Sequence, residues 1–316
     1  MPENDFVSYL RQRFATDDES VLVGCGPDDC AHIDPEYLQG LAVSIDSFVE
    51  GVHFTPDTPP SLVAAKAMGA SLSDLAASAC WPRYILVSAC LRHGLGKDWA
   101  KDFADSLADI AKRQGAAIVG GDTTSSAKST FITVCVLGEP MTRGPVTRSG
   151  AAPGDALVVT GSLGGSLLGR HLKPEPRFRE MNALLDYVDG GRVLGAAMDI
   201  SDGLALDLSR LATESGVGAV IEADLVPVSD DARRMAETSG RTPLDHALSD
   251  GEDFELLLAV DPGFWPEFLN HNRKNPYKSQ VPFTRIGWFT EGSELLIQDA
   301  AGKKQALRPE GYIHKW

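Results

Sequence analysis

The stretch AAMDISDGLALDL, residues 196–208, decides how the second half of the chain is read. An apolar run stops at Asp199, a second acid follows at Asp202, then Gly203, then leucines at helical spacing. This pattern predicts a buried strand that runs into a helix. In open α/β sheets, ligands bind outside the strand ends. An Asp at such a junction also serves as a plain helix cap. The surrounding chain has to decide between the two.

Downstream of this junction, GAVIEA (218–223), FELLLAV (254–260), FTRIGWF (283–289) and ELLIQ (294–298) read as strands. Neighbouring strands without helices between them point to mixed or antiparallel sheets rather than a doubly wound parallel one. Upstream, SVLVG (20–24), LAVSI (41–45), YILVSACL (84–91), AAIVG (116–120) and FITVCVLG (131–138) are strand-like. They alternate with helical patterns at 61–79 and 97–115, the second closed by Gly115. VTRSGAAPGDALVVTG (146–161) interrupts the pattern with Gly, Pro and small residues before a new strand. The expectation is an α/β chain with mixed (α+β) sheets in two domains, 1–146 and 147–316.

Bulk properties narrow the function classes. Of the 316 residues, 43% are hydrophobic and 23% charged, ordinary for a globular protein. The net charge of −15 argues against nucleic acid or an anionic membrane as the main partner. An anionic substrate remains compatible, because divalent metal held by acids reverses the local sign. MPENDFVSYL carries no basic n-region or apolar h-region, so no signal peptide is expected. No apolar run reaches the roughly 18 residues of a membrane span. Cys25, Cys30, Cys80, Cys90 and Cys135 match neither a zinc site nor a disulfide framework. Reduced thiols and a cytoplasmic setting are expected.

The acids are informative by position. Asp28 and Asp29 follow VLVGCGP, Asp46 follows LAVSI, Asp122 follows AIVGG, and Asp199 and Asp202 follow LGAAM. Asp74 lies inside the apolar helix 61–79, where Lys66 and Ser73 also fit a polar face. Singly, each acid also fits a turn or a cap. Together, at so many element ends, they fit a crevice that binds hard divalent cations and phosphates. No Walker A pattern is present. TGSLGGS (160–166) is a Gly-rich turn able to offer backbone N–H groups to a phosphate, or only a tight turn. In EGVHF, alternation sets His53 on the face opposite Val52 and Phe54, as a ligand or a structural histidine. Arg148, at the proposed domain junction, can pair with a phosphate or with a surface acid.

GCGPDDCAHI, SIDSFVEGVHF, SLSDLAA, GGDTT, TRSGAAPGD, MDISDGLALDL, SDGEDFELLL and a final EGY occur in order from residue 24 to 312. In that order they resemble the thiamine-monophosphate kinase family, which shares a superfamily with AIR synthetase, selenophosphate synthetase and a hydrogenase maturation protein. The resemblance implies a two-domain AIR synthetase-like fold whose N-terminal domains pair as a homodimer around a shared barrel. It implies transfer of the ATP γ-phosphoryl group to thiamine monophosphate, with several Mg²⁺ ions. By matching position, it assigns metal binding to Asp29, Ser44, Asp46, Asp74, Asp122, Asp199 and Asp202. It assigns the nucleotide to Gly121, Asp122, Arg148 and Ser201, and the substrate to His53, Glu252 and Tyr312. An acceptor that is already an anionic phosphate oxygen needs no strong general base, so the task is neutralisation and alignment.

The chain departs from the family pattern at Pro27, Ile45 and Asp250, and the segment 161–176 is short. Asp250 would add charge beside Glu252, and the short segment would lack a helix or lid. Two other readings follow: a superfamily enzyme with a different acceptor, or a nucleotide-binding relative without catalysis. Residues 1–24 contain no Cys and the chain ends YIHKW, which counts against the selenophosphate and hydrogenase-maturation chemistries.

Overall fold

A computed structural model describes residues 9–10, 12–23, 32–37, 40–141, 144–186, 193–266, 268–269, 279 and 281–313. Two compact units emerge: Met1–Leu75 with Cys80–Pro140 and Leu172–Glu175, and Ala76–Ala79 with Met141–His171 and Pro176–Trp316. Asp28 and Asp29, with Cys25, Pro27 and Cys30, lie outside the described residues.

The first unit opens with a ribbon of β1 (Val21–Val23) and β2 (His32–Ile33). Its main sheet contains β3 (Ala42–Val49), β4 (Cys80–Arg92), β5 (Ala117–Ser126) and β6 (Phe131–Pro140), in the order β3-β6-β4-β5. The β4–β5 pair is parallel and the others antiparallel, so the sheet is mixed. Strands β3 and β5 outrun their apolar stretches because β6 and β4 keep supplying hydrogen-bond partners. Asp46 and Asp122 therefore lie inside strands, not at the ends the sequence pattern implied.

Helices α1 (Pro60–Ala77) and α2 (Lys97–Arg113) pack in this unit. Helix α2 buries one stripe, with Phe103, Leu107, Ile110 and Ala111 at three- and four-residue spacing. Helix α1 is instead buried nearly all round by small residues, and Lys66, Ser71 and Ser73 are inside with them. Lys66 and Ser73 are thus not a solvated polar face. Gly69 lets the backbone of Pro174 approach α1, since a Cβ there would stand 2.4 Å from the Pro174 carbonyl oxygen.

The second unit has a seven-stranded sheet of β7 (Ala156–Thr160), β8 (Leu194–Asp199), β9 (Gly218–Glu222), β10 (Leu256–Val260), β11 (Phe283–Thr290), β12 (Leu295–Gln298) and β13 (Lys304–Ala306). The order is β13-β12-β9-β11-β7-β10-β8, antiparallel except for the β12–β9 pair. Its helices include, in chain order, α3 (Phe178–Leu185), α4 (Leu204–Ser215), α5 (Asp230–Ser239) and α6 (Pro243–Ser249). Leu204, Leu208 and Leu211 of α4 join Leu157, Met198, Leu257 and Ile286 in one core. The α/β class with mixed sheets is thus as read from the sequence.

Sequence periodicity did not reveal α3, α5 or α6. They are short, and α5 buries only Ala232. Capping specifies these last two instead. Ser229 accepts from the Ala232 N–H, and Thr242 and Asp245 form a capping box. The short segment after the Gly-rich turn makes two single 3₁₀ turns, Ser166–Leu168 and Arg170–Leu172. Among the described residues, no helix is long and apolar enough to cross a membrane.

Candidate active site

In the first unit, alternation along β3 turns Ser44, Asp46 and Phe48 to one face and Val43, Ile45 and Ser47 to the other. Helix α1 brings Asp74 to the Ser44 side, and the Ser44 hydroxyl donates to the Asp74 carboxylate. Asp46 stands in the field of the same carboxylate. Burial, then the Asp74 charge, push its carboxyl up to about 6, against the opposing pull of Ser71 and Lys66. The donors here are a hydroxyl and two carboxylates, all hard oxygens, and the two acids repel until a cation separates them. That donor set fits Mg²⁺. Among the described residues, no group of three or more His, Cys, Asp or Glu side chains is gathered in metal-holding geometry.

Asp122 is exposed on β5 and is not brought to that pair. The register aligns it with Ser88, Thr133 and Ser47, whereas Asp46 belongs to the row of Val134, Val87 and Gly121. Asp122 is thus three strands from β3, roughly 14 Å of sheet, on the opposite face. Gly121 has a packing reason of its own, because a Cβ there would stand 2.0 Å from the Val87 carbonyl oxygen. His53 sits in a turn, not a strand, so the alternation expected for it does not apply. Val52 is exposed and Phe54 buried. His53 Nδ1 accepts the Val49 N–H at 3.0 Å. In the neutral ring this leaves the proton on Nε2, making that nitrogen a donor.

In the second unit, four assigned residues adjoin. The Glu252 N–H donates to the Ser201 carbonyl at 2.7 Å, and the Tyr312 N–H donates to the Asp202 carbonyl at 2.9 Å. Around them, Phe254 donates to Ile200 at 2.8 Å and Ile200 to Glu255 at 2.8 Å. Asp199 is buried at the end of β8, while Ser201 and Asp202 are half-buried just beyond it. Arg148 is exposed, with its neighbours tied down: Ala197 N–H donates to the Thr147 carbonyl at 3.0 Å, and Ser215 Oγ to the Arg148 carbonyl at 2.9 Å.

Three findings depart from the sequence reading. The Gly-rich turn does not hold its N–H groups open for a phosphate. Gly164 donates to Asp253 at 3.0 Å and Gly165 to Asp250 at 3.1 Å. Asp250 adds no free charge beside Glu252, since Arg241 reaches it at 3.0 Å and His246 Nδ1 at 2.9 Å. The third is Asp207, an acid of the 196–208 stretch to which the sequence pattern assigns no role. Fully buried, it accepts the N–H groups of Ser201, Asp202 and Gly203 at 3.1, 2.9 and 3.2 Å. Burial, then the Asp202 charge, push its carboxyl up to about 6, against the Asp202 N–H and Arg210. An acid set among leucines was the available signal.

The AIR synthase related protein family matches over both halves, its N-terminal domain at residues 27–139 and its C-terminal domain at 152–299. A thiamine-monophosphate kinase of Rhodopirellula baltica is 38% identical over 99% of this chain and 97% of its own length. The crystal structure of the thiamine-monophosphate kinase from Stenotrophomonas maltophilia superposes with a TM-score of 0.79 at 27% identity, covering 94% of this chain and 96% of that one. AaThiL complexed with AMPPCP and TMP superposes with a TM-score of 0.73 at 29% identity, covering 87% of each chain. With its two matched domains and a full-length relative of that name, the chain belongs to the thiamine-monophosphate kinase family of AIR synthase related proteins.

Proposed function

We propose that this chain transfers the γ-phosphoryl group of ATP to thiamine monophosphate, giving thiamine diphosphate and ADP. The observation that carries the reading is the joining of Ser201, Asp202, Glu252 and Tyr312 by adjoining backbone hydrogen bonds. The resemblance gives these residues to nucleotide, metal and substrate. The complex of AaThiL with AMPPCP and TMP supports the same pair of ligands.

Each group has a task that its chemistry can perform. The Arg148 guanidinium pairs with a nucleotide phosphate. The Glu252 carboxylate faces a substrate whose thiazolium ring is cationic, Tyr312 offers an aromatic face to its rings, and His53 Nε2–H donates a hydrogen bond. Within the first unit Ser44, Asp46 and Asp74 would hold Mg²⁺; the resemblance gives the same task to Asp199 and Asp202 in the second unit, to Asp122 on the other face of the first sheet, and to Asp29. When bound, Mg²⁺ neutralises phosphate charge and aligns donor and acceptor oxygens. The acceptor oxygen is already anionic, so no residue has to remove a proton from it.

Homodimerisation belongs to this reading. The sheet face opposite α1 exposes Val43 by 59%, Ile45 by 65% and Phe131 by 43%. Apolar side chains this exposed on one sheet face are stabilised by a partner, and a second copy of the chain is the proposed one.

The test is incubation with MgATP and thiamine monophosphate, followed by phosphorus NMR. Thiamine diphosphate and ADP in equal amounts, abolished by EDTA, is the expected result. Folded protein that binds nucleotide and leaves both substrates intact would overturn the reading.

A further inference from the structure

We propose that Asp207 and Arg210 of α4 form a clamp that aims Asp202 and plugs the helix N-terminus from within, so that phosphate is bound here by side chains and cations rather than by backbone N–H groups. The inference rests on the reading of Ser201 and Asp202 as nucleotide and metal residues. A single carboxylate oxygen, Asp207 Oδ2, accepts three consecutive backbone N–H groups, those of Ser201, Asp202 and Gly203. Such a run of N–H groups at the start of a helix is a ready anion site. Here the anion is the chain's own, and Asp207 is fully buried. The other oxygen, Oδ1, takes Arg210 Nη1 at 2.7 Å.

The same Arg210 nitrogen reaches Asp202 Oδ2 at 2.6 Å. Asp207 therefore restrains Asp202 twice, at its backbone N–H and, through Arg210, at its carboxylate. The third restraint is the Tyr312 N–H on the Asp202 carbonyl. A side chain held this way presents its carboxylate in one orientation, which lowers the entropic cost of recruiting a cation. Asp207 touches neither substrate nor metal in this scheme and is a positioning residue. Arg210 is half-exposed, so it can be altered without opening the core.

The experiment uses the 316-residue protein and four variants, Asp207→Asn, Arg210→Met, the double variant combining these two, and Arg210→Lys. Mn²⁺ binding is read by electron paramagnetic resonance, MgADP binding by calorimetry, and folding by circular dichroism. Asp207→Asn keeps an acceptor for the N–H groups and sets an amide against Arg210. The expected result is a roughly tenfold weaker Mn²⁺ affinity in both Asp207→Asn and Arg210→Met, with the double variant no worse than either single one, because the two act as a unit. Arg210→Lys should recover at least part of the loss. Folded Asp207→Asn and Arg210→Met proteins that bind Mn²⁺ and MgADP within twofold of the unaltered protein would overturn the clamp. If Asp207→Asn does not fold, Arg210→Met carries the same decision. Failure of the proposed reaction shows separately, as intact substrates in the unaltered protein, and leaves the metal-binding readout interpretable.

Discussion

Glu252 holds a backbone φ of 57°, a left-handed conformation that a residue with a Cβ adopts at a cost of about 1 kcal/mol. Its N–H bond to the Ser201 carbonyl accompanies that conformation and ties Glu252 to the loop it is proposed to serve. Glu252→Gly should therefore raise unfolding stability by up to about 1 kcal/mol in urea titrations while raising the KM for thiamine monophosphate at least tenfold. Asp46 shows the same opposition between fold and function. Its folded pKa of about 6 lies above its ordinary value of 3.8, so the fold favours the protonated acid. The resulting penalty is absent below about pH 4, grows through pH 6 and is complete above it. In EDTA, Asp46→Asn should be more stable to urea than the unaltered protein at pH 8, by up to about 3 kcal/mol, and match it at pH 4. The same variant should lose turnover in the NMR assay.

Among the elements, strand β10 and the loop before it depend on buried acids that are all answered. Glu255 takes Arg177 through two bonds, of 2.7 and 2.6 Å, and the Thr160 hydroxyl at 2.7 Å. Asp253 takes Arg170 at 2.7 Å. Removing one member leaves a buried charge unmatched, so Arg177→Met should cost about 3–5 kcal/mol in chemical denaturation. Adding Glu255→Gln should recover much of that loss. The strand–turn–helix at 194–215 was legible from the sequence, because its apolar run and leucine spacing are local signals. The clamp inside it was not. Helical spacing puts position 207 on the same stripe as Leu204, Leu208 and Leu211, but only packing shows which donors its buried carboxylate finds.

At the scale of the whole molecule, the proposed dimer would use the open face of the strand that carries Ser44 and Asp46. Ile45 lies between them on the opposite side of β3. Ile45→Asp should leave the circular dichroism spectrum unchanged and convert a dimer to a monomer by light scattering. A dimeric Ile45→Asp protein would place the interface elsewhere. Asp122 also lies on that open face. Activity that falls together with dimerisation would tie the open face to the reaction.

The α/β class, the mixed sheets, the family and the positions of the acids were all legible along the chain. These follow from local periodicity, from turn residues and from short motifs whose order is preserved along the chain. Tertiary structure alone decided which acids meet. Asp74 bonds Ser44 and places its charge near Asp46 because one strand face packs on one helix, whereas Asp122 takes the other face by the parity of its register. It also decided that the Gly-rich turn answers Asp250 and Asp253, and that Asp207 holds the loop of Asp202. Those are through-space pairings between distant segments, and no local pattern encodes which buried donor a given carboxylate will find.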